Sequence, residues 1–201
     1  MMDHSKVERG WEPSHVGKVA ELYEVAFGAK FAKAINCQQS RVLVLSKSFV
    51  PSFSYVVKVN DRIAGIAGFH TNEGSLTGGL SFAGLIELLG VIKGVRAALI
   101  FSLLERQVKK NELLMDGIAV DEQFRGGGYG SRLLDAIIEH AKNNGYQSVR
   151  LDVIDGNTRA KKLYESKGFV ATQTEHYPYL KWLLGFSGST TMVYHFENDE
   201  R

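Results

Sequence analysis

Cysteine is nearly absent from this chain. Cys37 is the single one among 201 residues, which excludes an internal disulfide framework and any metal site built from several thiolates. Net charge is small too: 24 lysines and arginines against 22 acids leave a formal +2, too little to argue for a nucleic-acid partner. A membrane-spanning helix needs about 20 consecutive apolar residues. In the most apolar stretch, Ser81 to Val108, Glu87, Lys93, Arg96 and Glu105 interrupt every such run. Core-facing or partner-facing helices are expected there, with no membrane span. The opening MMDHSKVERG has no apolar h-region, so no signal peptide is expected and the cytoplasm is the default location. Repeats and low-complexity tracts are missing as well. What is present, 44% hydrophobic and 23% charged residues, suits one globular domain, expected to span residues 1–201.

Along the chain, Lys6 to Trp11 reads as a strand, and Pro13-Ser14 opens a helix. Val16, Val19, Ala20, Tyr23 and Phe27 follow its period, and Gly28 is expected to end it. Phe31 to Lys47 suggests one or two further helical pieces, with Cys37 as a small apolar filler rather than a nucleophile. Phe53 to Val59 and Ile63 to His70, joined by Asn60-Asp61, predict an antiparallel hairpin. Asn72 to Gly79 reads as a loop. Phe82, Leu85, Ile86, Leu89, Ile92 and Val95, then Ala98, Phe101, Leu104 and Val108, are spaced for helices, with Gly90 and Gly94 as candidate breaks. Residues 72–111 thus form a helical insertion.

Leu113 to Val120 predicts a central strand with Leu114, Asp116, Ile118 and Val120 on one face. An aspartate inside an apolar strand is costly unless paired, exposed or used, and Gly117 beside it suggests a bulge or a close backbone approach. The run continues as LLMDGIAVDEQFRGGGYGS to Ser131: a strand, a glycine turn and a helix start. Glycines let N–H groups converge on one concavity, and a helix N-terminus adds unpaired donors and positive dipole. Such a place binds anions, phosphates above all. G-x-G-x-x-G fails, because Ser131 or Leu133 stands at its last position, and no Gly-Lys-Ser/Thr follows for a Walker loop. Downstream, Leu133, Leu134, Ile137, Ile138 and Ala141 make one helical stripe stopped by Asn144-Gly145, and Ser148 to Ile154 alternates as a strand. Strand, helix and strand in this order imply a right-handed crossover and parallel pairing.

The spacing that does stand here, Arg125-Gly126-Gly127-Gly128-Tyr129-Gly130, or R/Q-x-x-G-x-G/A, resembles motif A of the GCN5-related N-acetyltransferase (GNAT) superfamily. Asn157 to Phe169 resembles its motif B, N-x-x-A-x-x-L-Y-x-x-x-G-F, matched at every named position. The resemblance covers Leu113 to Phe169, and the opening of strand, helices and hairpin matches the family in architecture only. It implies an α/β fold with a mixed, splayed central sheet flanked by helices. The helical insertion before the fourth strand exceeds the compact family pattern.

By the same resemblance the chain takes acetyl-CoA as co-substrate and transfers its acetyl group directly to an amine of a small molecule or peptide. Arg125, Gly126, Gly127, Gly128, Tyr129, Gly130 and Ser131 would hold the pyrophosphate. Ile118, Ala119 and Val120 would meet the pantetheine arm, the Ile118 amide would face the oxyanion, and Asn157 would touch the pantetheine or phosphate region. Arg159, Lys161 or Lys162 would approach the ribose phosphate. Tyr164 matches the family tyrosine that protonates the departing thiolate. An amine with a pKa near 10.4 must lose a proton before attack; Asp116 is the candidate base, with Glu112 and His70 behind it. The two apolar segments, Ser81 to Val108 and His176 to Phe186, are expected to meet and wall the acceptor cleft, with Tyr179 and Trp182 lining it. Packing on a second subunit, as a homodimer, stays open as their other use. So does a non-catalytic role in binding or sensing acyl-CoA.

Overall fold

The computed structural model describes residues 5–178 and 185–196. Its strands are β1 (Ser5–Arg9), β2 (Ser54–Val59), β3 (Arg62–Thr71), β4 (Gly74–Ser75), β5 (Glu112–Val120), β6 (Ser148–Ile154), β7 (Val170–His176) and β8 (Gly188–His195). Its α-helices are α1 (Val16–Phe31), α2 (Gln38–Ser48), α3 (Phe82–Leu89), α4 (Val91–Leu104), α5 (Tyr129–Asn143) and α6 (Thr158–Ser166). They make the α/β fold expected, one mixed sheet in the order β1-β2-β3-β5-β6-β8-β7, with β4 on β3. The β2–β3 hairpin turns at Asn60 and Asp61, both at positive φ, as a two-residue turn matching strand twist requires.

Parallel pairing of β5 with β6 runs only from Glu112↔Ser148 to Leu114↔Arg150, although both strands continue. Beyond that point they diverge, and the sheet opens into a splay. One face of the sheet carries α5 and α6, whose Leu133, Leu134, Ile137, Leu163 and Tyr164 pack with Leu113, Met115 and Leu151. Fully burying side chains like Leu133, Leu134 and Ile137 stabilises by about 1.5–3 kcal/mol each. The other face carries α1 and α2 through Val19, Ala20, Tyr23 and Leu45. The α3–α4 hairpin packs on the end of α1 and on α2 through Ala34, Val44, Leu85 and Ala97.

Four expectations are corrected. Gly28 does not end α1, which continues to Phe31; a Cβ at position 28 would run into the Glu24 carboxylate, so this glycine makes room within the helix. Residues 72–79 are not simply a loop, because Gly74–Ser75 folds back onto His70 and Thr71 and buries Leu76 completely. The insertion breaks at Gly90, with φ 79°, and not at Gly94, whose Cβ would lie 2.8 Å from the Ile86 Cα. That glycine lets α3 and α4 cross closely.

The fourth correction concerns β5. Gly68 pairs with Gly117 but Phe69 with Met115, so Asp116 is the extra residue of a bulge, and the alternation of faces shifts there. Met115, Ile118 and Val120 lie on the α5 side. Ala119 lies on the α1 side, and a Cβ on Gly117 would meet the Phe27 ring of α1. Asp116 therefore does not share a face with Ile118 and Val120.

Val91, Ile92, Val95, Leu99 and Leu103 recur at helical spacing on the outside of α4 and stay exposed. The insertion buries its inner edge only. Among the described residues no helix is long and apolar enough to cross a membrane.

Under the α5 face, buried His140 lies 3.2 Å from the Tyr55 hydroxyl and 3.3 Å from the Asn144 amide. Burial, then the nearby charge of Arg9, lowers its pKa below the ordinary 6.5. As pH falls, the unfolded chain therefore takes up this proton before the folded one does. The contribution is intact above about pH 6.5 and is lost as pH falls below it. His140→Gln should flatten the decline of stability between roughly pH 6.5 and 5 in urea titrations. An unchanged slope would assign that decline to other groups.

Candidate functional site

Two clefts meet in the splay. The first, about 680 Å³, runs from the α5 N-terminus between β5 and β6 and is lined by Ile118, Ala119, Val120, Arg125, Gly126, Gly128, Tyr129, Gly130, Ser131, Asn157 and Tyr164. The second, about 670 Å³, lies under the insertion between α1, α2, α3 and α4. Phe27, Asp116, Asp152 and Ile154 line both. They form the junction.

At the head of the first cleft, Gly128 takes φ 76° as the N-cap of α5 and Gly126 takes φ 90°. Nothing lies within 4 Å of where a Cβ would be at either position. Positive φ fits glycine, and the open space lets a ligand approach the backbone. The first turn of α5 points its backbone N–H groups out of the helix end, toward the head of the cleft. Gly127 is turned away from the cleft, since its Cβ would lie 2.6 Å from the Tyr129 ring. Tyr129 is itself core, stacked edge-on to Phe124 at 6.2 Å, so its backbone rather than its phenol faces a ligand.

The β5 edge can be read from one bond. Asp121 N–H donates to Ala64 O at 2.9 Å, and hydrogen-bonded pairs alternate along an antiparallel ladder. Ala119 opposite Ile66 is then bonded to β3, whereas Ile118 and Val120 turn their amides and carbonyls into the splay. The Arg125 Nε, which donates to Val120 O at 3.4 Å, agrees. Of the three residues expected along this edge, Ile118 and Val120 offer backbone groups. Ala119 spends its own on β3, with a side chain only 2% exposed.

Asn157 caps α6, its Oδ1 accepting from Ala160 N–H at 3.1 Å, which leaves its amide NH2 to face the cleft. Arg159 lines the same cleft, while Lys161 and Lys162 do not. Tyr164, 6% exposed, reaches the cleft from α6, and burial pushes its phenol up to about 12.

Asp116 stands at the junction. Arg106, from the segment after α4, donates from Nη2 to Asp116 Oδ1 at 2.9 Å and from Nη1 to Asp152 Oδ2 at 3.1 Å. One guanidinium thereby ties β5 to β6 across the splay. Thr191 donates to the other Asp152 oxygen at 2.6 Å. Tyr23, buried beside this group, has its pKa raised by burial and then by the charge of Asp116. Sequence reasoning missed Arg106 and Asp152; the one available signal was charge at both Arg150 and Asp152 on a central strand.

The weaker base candidates separate. Glu112 is buried and accepts from Arg150 Nε at 2.8 Å, so it belongs to the base of the splay and lines neither cleft. His70 lines the second cleft. Cys37 is exposed, which corrects its reading as an apolar filler; its thiol pKa is lowered, chiefly by the backbone hydrogen bond of Ser40. The second cleft takes Phe82, Leu85 and Phe101 from the insertion and Tyr177 and Phe186 from the later apolar segment. Tyr179 and Trp182 lie outside the described residues.

A family model described as the acetyltransferase (GNAT) family matches residues 20–169. Among curated proteins, a ribosomal-protein-bS18-alanine N-acetyltransferase of Haemophilus ducreyi is 35% identical over 74 residues, 36% of this chain and 51% of that protein. A thialysine N-epsilon-acetyltransferase of Bos taurus is 35% identical over 60 residues, 30% of this chain and 35% of that one. The matches thus span a third to a half of those relatives' lengths. Among solved structures, an N-acetyltransferase from Staphylococcus aureus Mu50 aligns with TM-score 0.66 and 16% identity, covering 94% of this chain and 100% of that one. The yncA protein of Salmonella typhimurium, solved with its cofactor acetyl-CoA, aligns with TM-score 0.61 and 15% identity, covering 98% and 96%. At these identities the likeness is one of fold.

Proposed function

The chain belongs to the acetyltransferase (GNAT) family, and from that premise we propose that it moves an acetyl group from acetyl-CoA, the family's co-substrate, to an amine held in the second cleft. One observation carries the reading: the glycine turn, the free β5 edge and Tyr164 line a single groove that opens at Asp116 into a second, separately walled cleft.

The residues present fit acetyl-CoA. Open Cβ positions at Gly126 and Gly128 leave room for a pyrophosphate beside the α5 N-terminus, with Ser131 and Arg125 at its rim. Ile118 and Val120 turn strand backbone groups toward an amide-bearing arm, the Val120 carbonyl being shared with Arg125 Nε, and Asn157 adds a side-chain donor. When bound, the group supplies an acetyl activated as a thioester. The Ile118 amide is the donor nearest the junction for a carbonyl oxygen that gains charge.

Asp116 orients the incoming ammonium and takes its first proton. The Arg106 guanidinium holds that carboxylate in place at the junction, and Asp116 passes the proton on to solvent. The N–C bond then forms as the C–S bond breaks. Tyr164 gives its phenolic proton to the departing sulfur and recovers one from the attacking nitrogen, so one proton in total goes to solvent.

Gly128→Val tests the cofactor half. A β-branched side chain is strained at φ 76°, and its bulk would occupy the phosphate approach. Affinity for acetyl-CoA should fall at least tenfold, about 1.4 kcal/mol by calorimetry. Unchanged affinity would remove the site. Acetyl-CoA-dependent thiol release across a panel of amines tests the transfer itself; tight binding with no release for any amine would leave the acyl-CoA-sensing reading.

A further inference from the structure

We infer that Arg106 is the positioning residue that sets the width of the cofactor groove, acting across the splay on the two strands between which the arm of acetyl-CoA would run. This rests on the acetyl-CoA reading of the first cleft and names what holds that cleft to size. The backbone tie between β5 and β6 ends at Leu114↔Arg150. Two residues further along each strand stand Asp116 and Asp152. Arg106 reaches both, Nη2 to Asp116 Oδ1 at 2.9 Å and Nη1 to Asp152 Oδ2 at 3.1 Å. Where the ladder stops, a side-chain tie takes over.

The bulge at Asp116 bends β5 and starts the divergence, but a bend alone does not fix how far it goes. Carboxylates on opposite sides of a gap repel, whereas a planar guanidinium between them holds them at a set spacing, because its donors sit in a rigid fork. Both ends of this tie are anchored. Thr191 of β8 donates to the other oxygen of Asp152 at 2.6 Å. Arg150 of β6 fixes the backbone beside Arg106, donating from Nη2 to Gln107 O at 2.6 Å and from Nε to Glu112 of β5 at 2.8 Å. Two arginines thus cross between the same three pieces of chain. Arg106 runs from the segment after α4 to both strands, and Arg150 runs from β6 back to that segment and to β5.

The effect on the groove is indirect. Arg106 lines the second cleft and not the first, whereas Asp116 and Asp152 line both. From them the first cleft continues along Gly117 and Ile118 on β5 and along Val153 and Ile154 on β6. Moving the two aspartates apart therefore moves the two walls of the groove. An arm lying between both walls loses contact with one of them, while the glycine turn, built on the α5 N-terminus, keeps its shape. The tie is partly open to water, with the Arg106 side chain 29% exposed, so its loss costs the fold less than that of a buried pair and shows in the groove instead.

The test measures Kd by calorimetry for two probes, acetyl-CoA and adenosine 3′-phosphate 5′-diphosphate, the nucleotide end of the same molecule without its arm. In the parent, acetyl-CoA should bind the more tightly. Arg106→Met should weaken acetyl-CoA binding about tenfold, or ~1.4 kcal/mol, and leave the nucleotide unchanged, whereas a merely structural role would lower both together. Arg106→Lys keeps the charge without the fork and should restore part of the loss. Asp152→Asn cuts only the β6 end of the tie and should reproduce the split even where Arg106→Met fails to fold. Unchanged acetyl-CoA affinity in these variants, an equal loss for both probes, or a parent that binds the two alike overturns the role of Arg106 and leaves the cofactor reading standing. A parent that binds neither probe overturns the acetyl-CoA reading itself, and this inference with it.

Discussion

The Tyr164→Phe variant is expected to bind acetyl-CoA as tightly as the parent and to turn over about a hundredfold more slowly, the usual cost of losing a positioned acid. The ring should stay in place. Tyr164 packs against Phe169 with ring centroids 5.9 Å apart and belongs to the core beneath α6, and Phe preserves that packing. Only the proton is removed. With its phenol pushed up to about 12 by burial, Tyr164 remains protonated across the range in which enzymes are assayed. The parent should therefore lose no activity through this group between roughly pH 7 and 10, while the departing thiolate, with a thiol pKa of about 8.5, is the more weakly basic partner at equilibrium. A strong acid is not needed, because the proton is wanted only as the sulfur leaves. The measurements are kcat by thiol release and Kd by calorimetry. Parent-like kcat at every pH would make Tyr164 a packing residue, whereas a parallel loss of affinity would mean that Phe had disturbed the groove.

What could be read from the sequence was local. The turn from Arg125 to Gly130 was legible because positive φ at Gly126 and Gly128, together with the helix start, leaves its mark within six residues. Asn157 and Gly168 mark the ends of α6 in the same way. The β2–β3 hairpin and the α5 stripe were legible from period and turn chemistry alone. Asp116 shows where this fails. Its position on an apolar strand was visible and so was the bulge signal at Gly117, but a pleat counted in twos cannot say which side of the bulge changes face. Arg106 was missed because it finds Asp152 46 positions away, across a gap that exists only once β5 and β6 have diverged. β8 likewise takes its place between β6 and β7 through pairing over long separations, which no local pattern encodes.

The same blindness to distant pairs hid the ion pair that supports the second cleft, and breaking it should give the largest change in stability. Glu24 of α1 is buried, its side chain 4% exposed, and its Oε1 receives Arg41 Nη2 at 2.7 Å and Nε at 2.8 Å. Arg41 on α2 is 12% exposed. Removing one partner of such a pair strands a buried charge and costs about 3–5 kcal/mol, a large part of the 5–15 kcal/mol that typically separates folded from unfolded domains. Glu24→Ala should therefore lower the urea midpoint sharply, and Arg41→Ala should do the same by leaving Glu24 alone. The pair itself stabilises far less than either loss suggests, because both charges were desolvated to make it. Replacing both at once, Glu24→Leu with Arg41→Met, should accordingly recover most of what the single changes lose, and a double-mutant cycle built from these two substitutions singly and together reads that coupling directly. Gly28→Ala supplies an independent check, since its methyl would press on the Glu24 carboxylate and should destabilise although alanine favours helices. A loss below about 1 kcal/mol for Glu24→Ala would show that water reaches the pair and screens it, as at exposed ion pairs. In that case the α1–α2 contact would rest on apolar packing such as that of Val19, Tyr23 and Leu45, and the second cleft would owe its shape to that packing without an ionic strut.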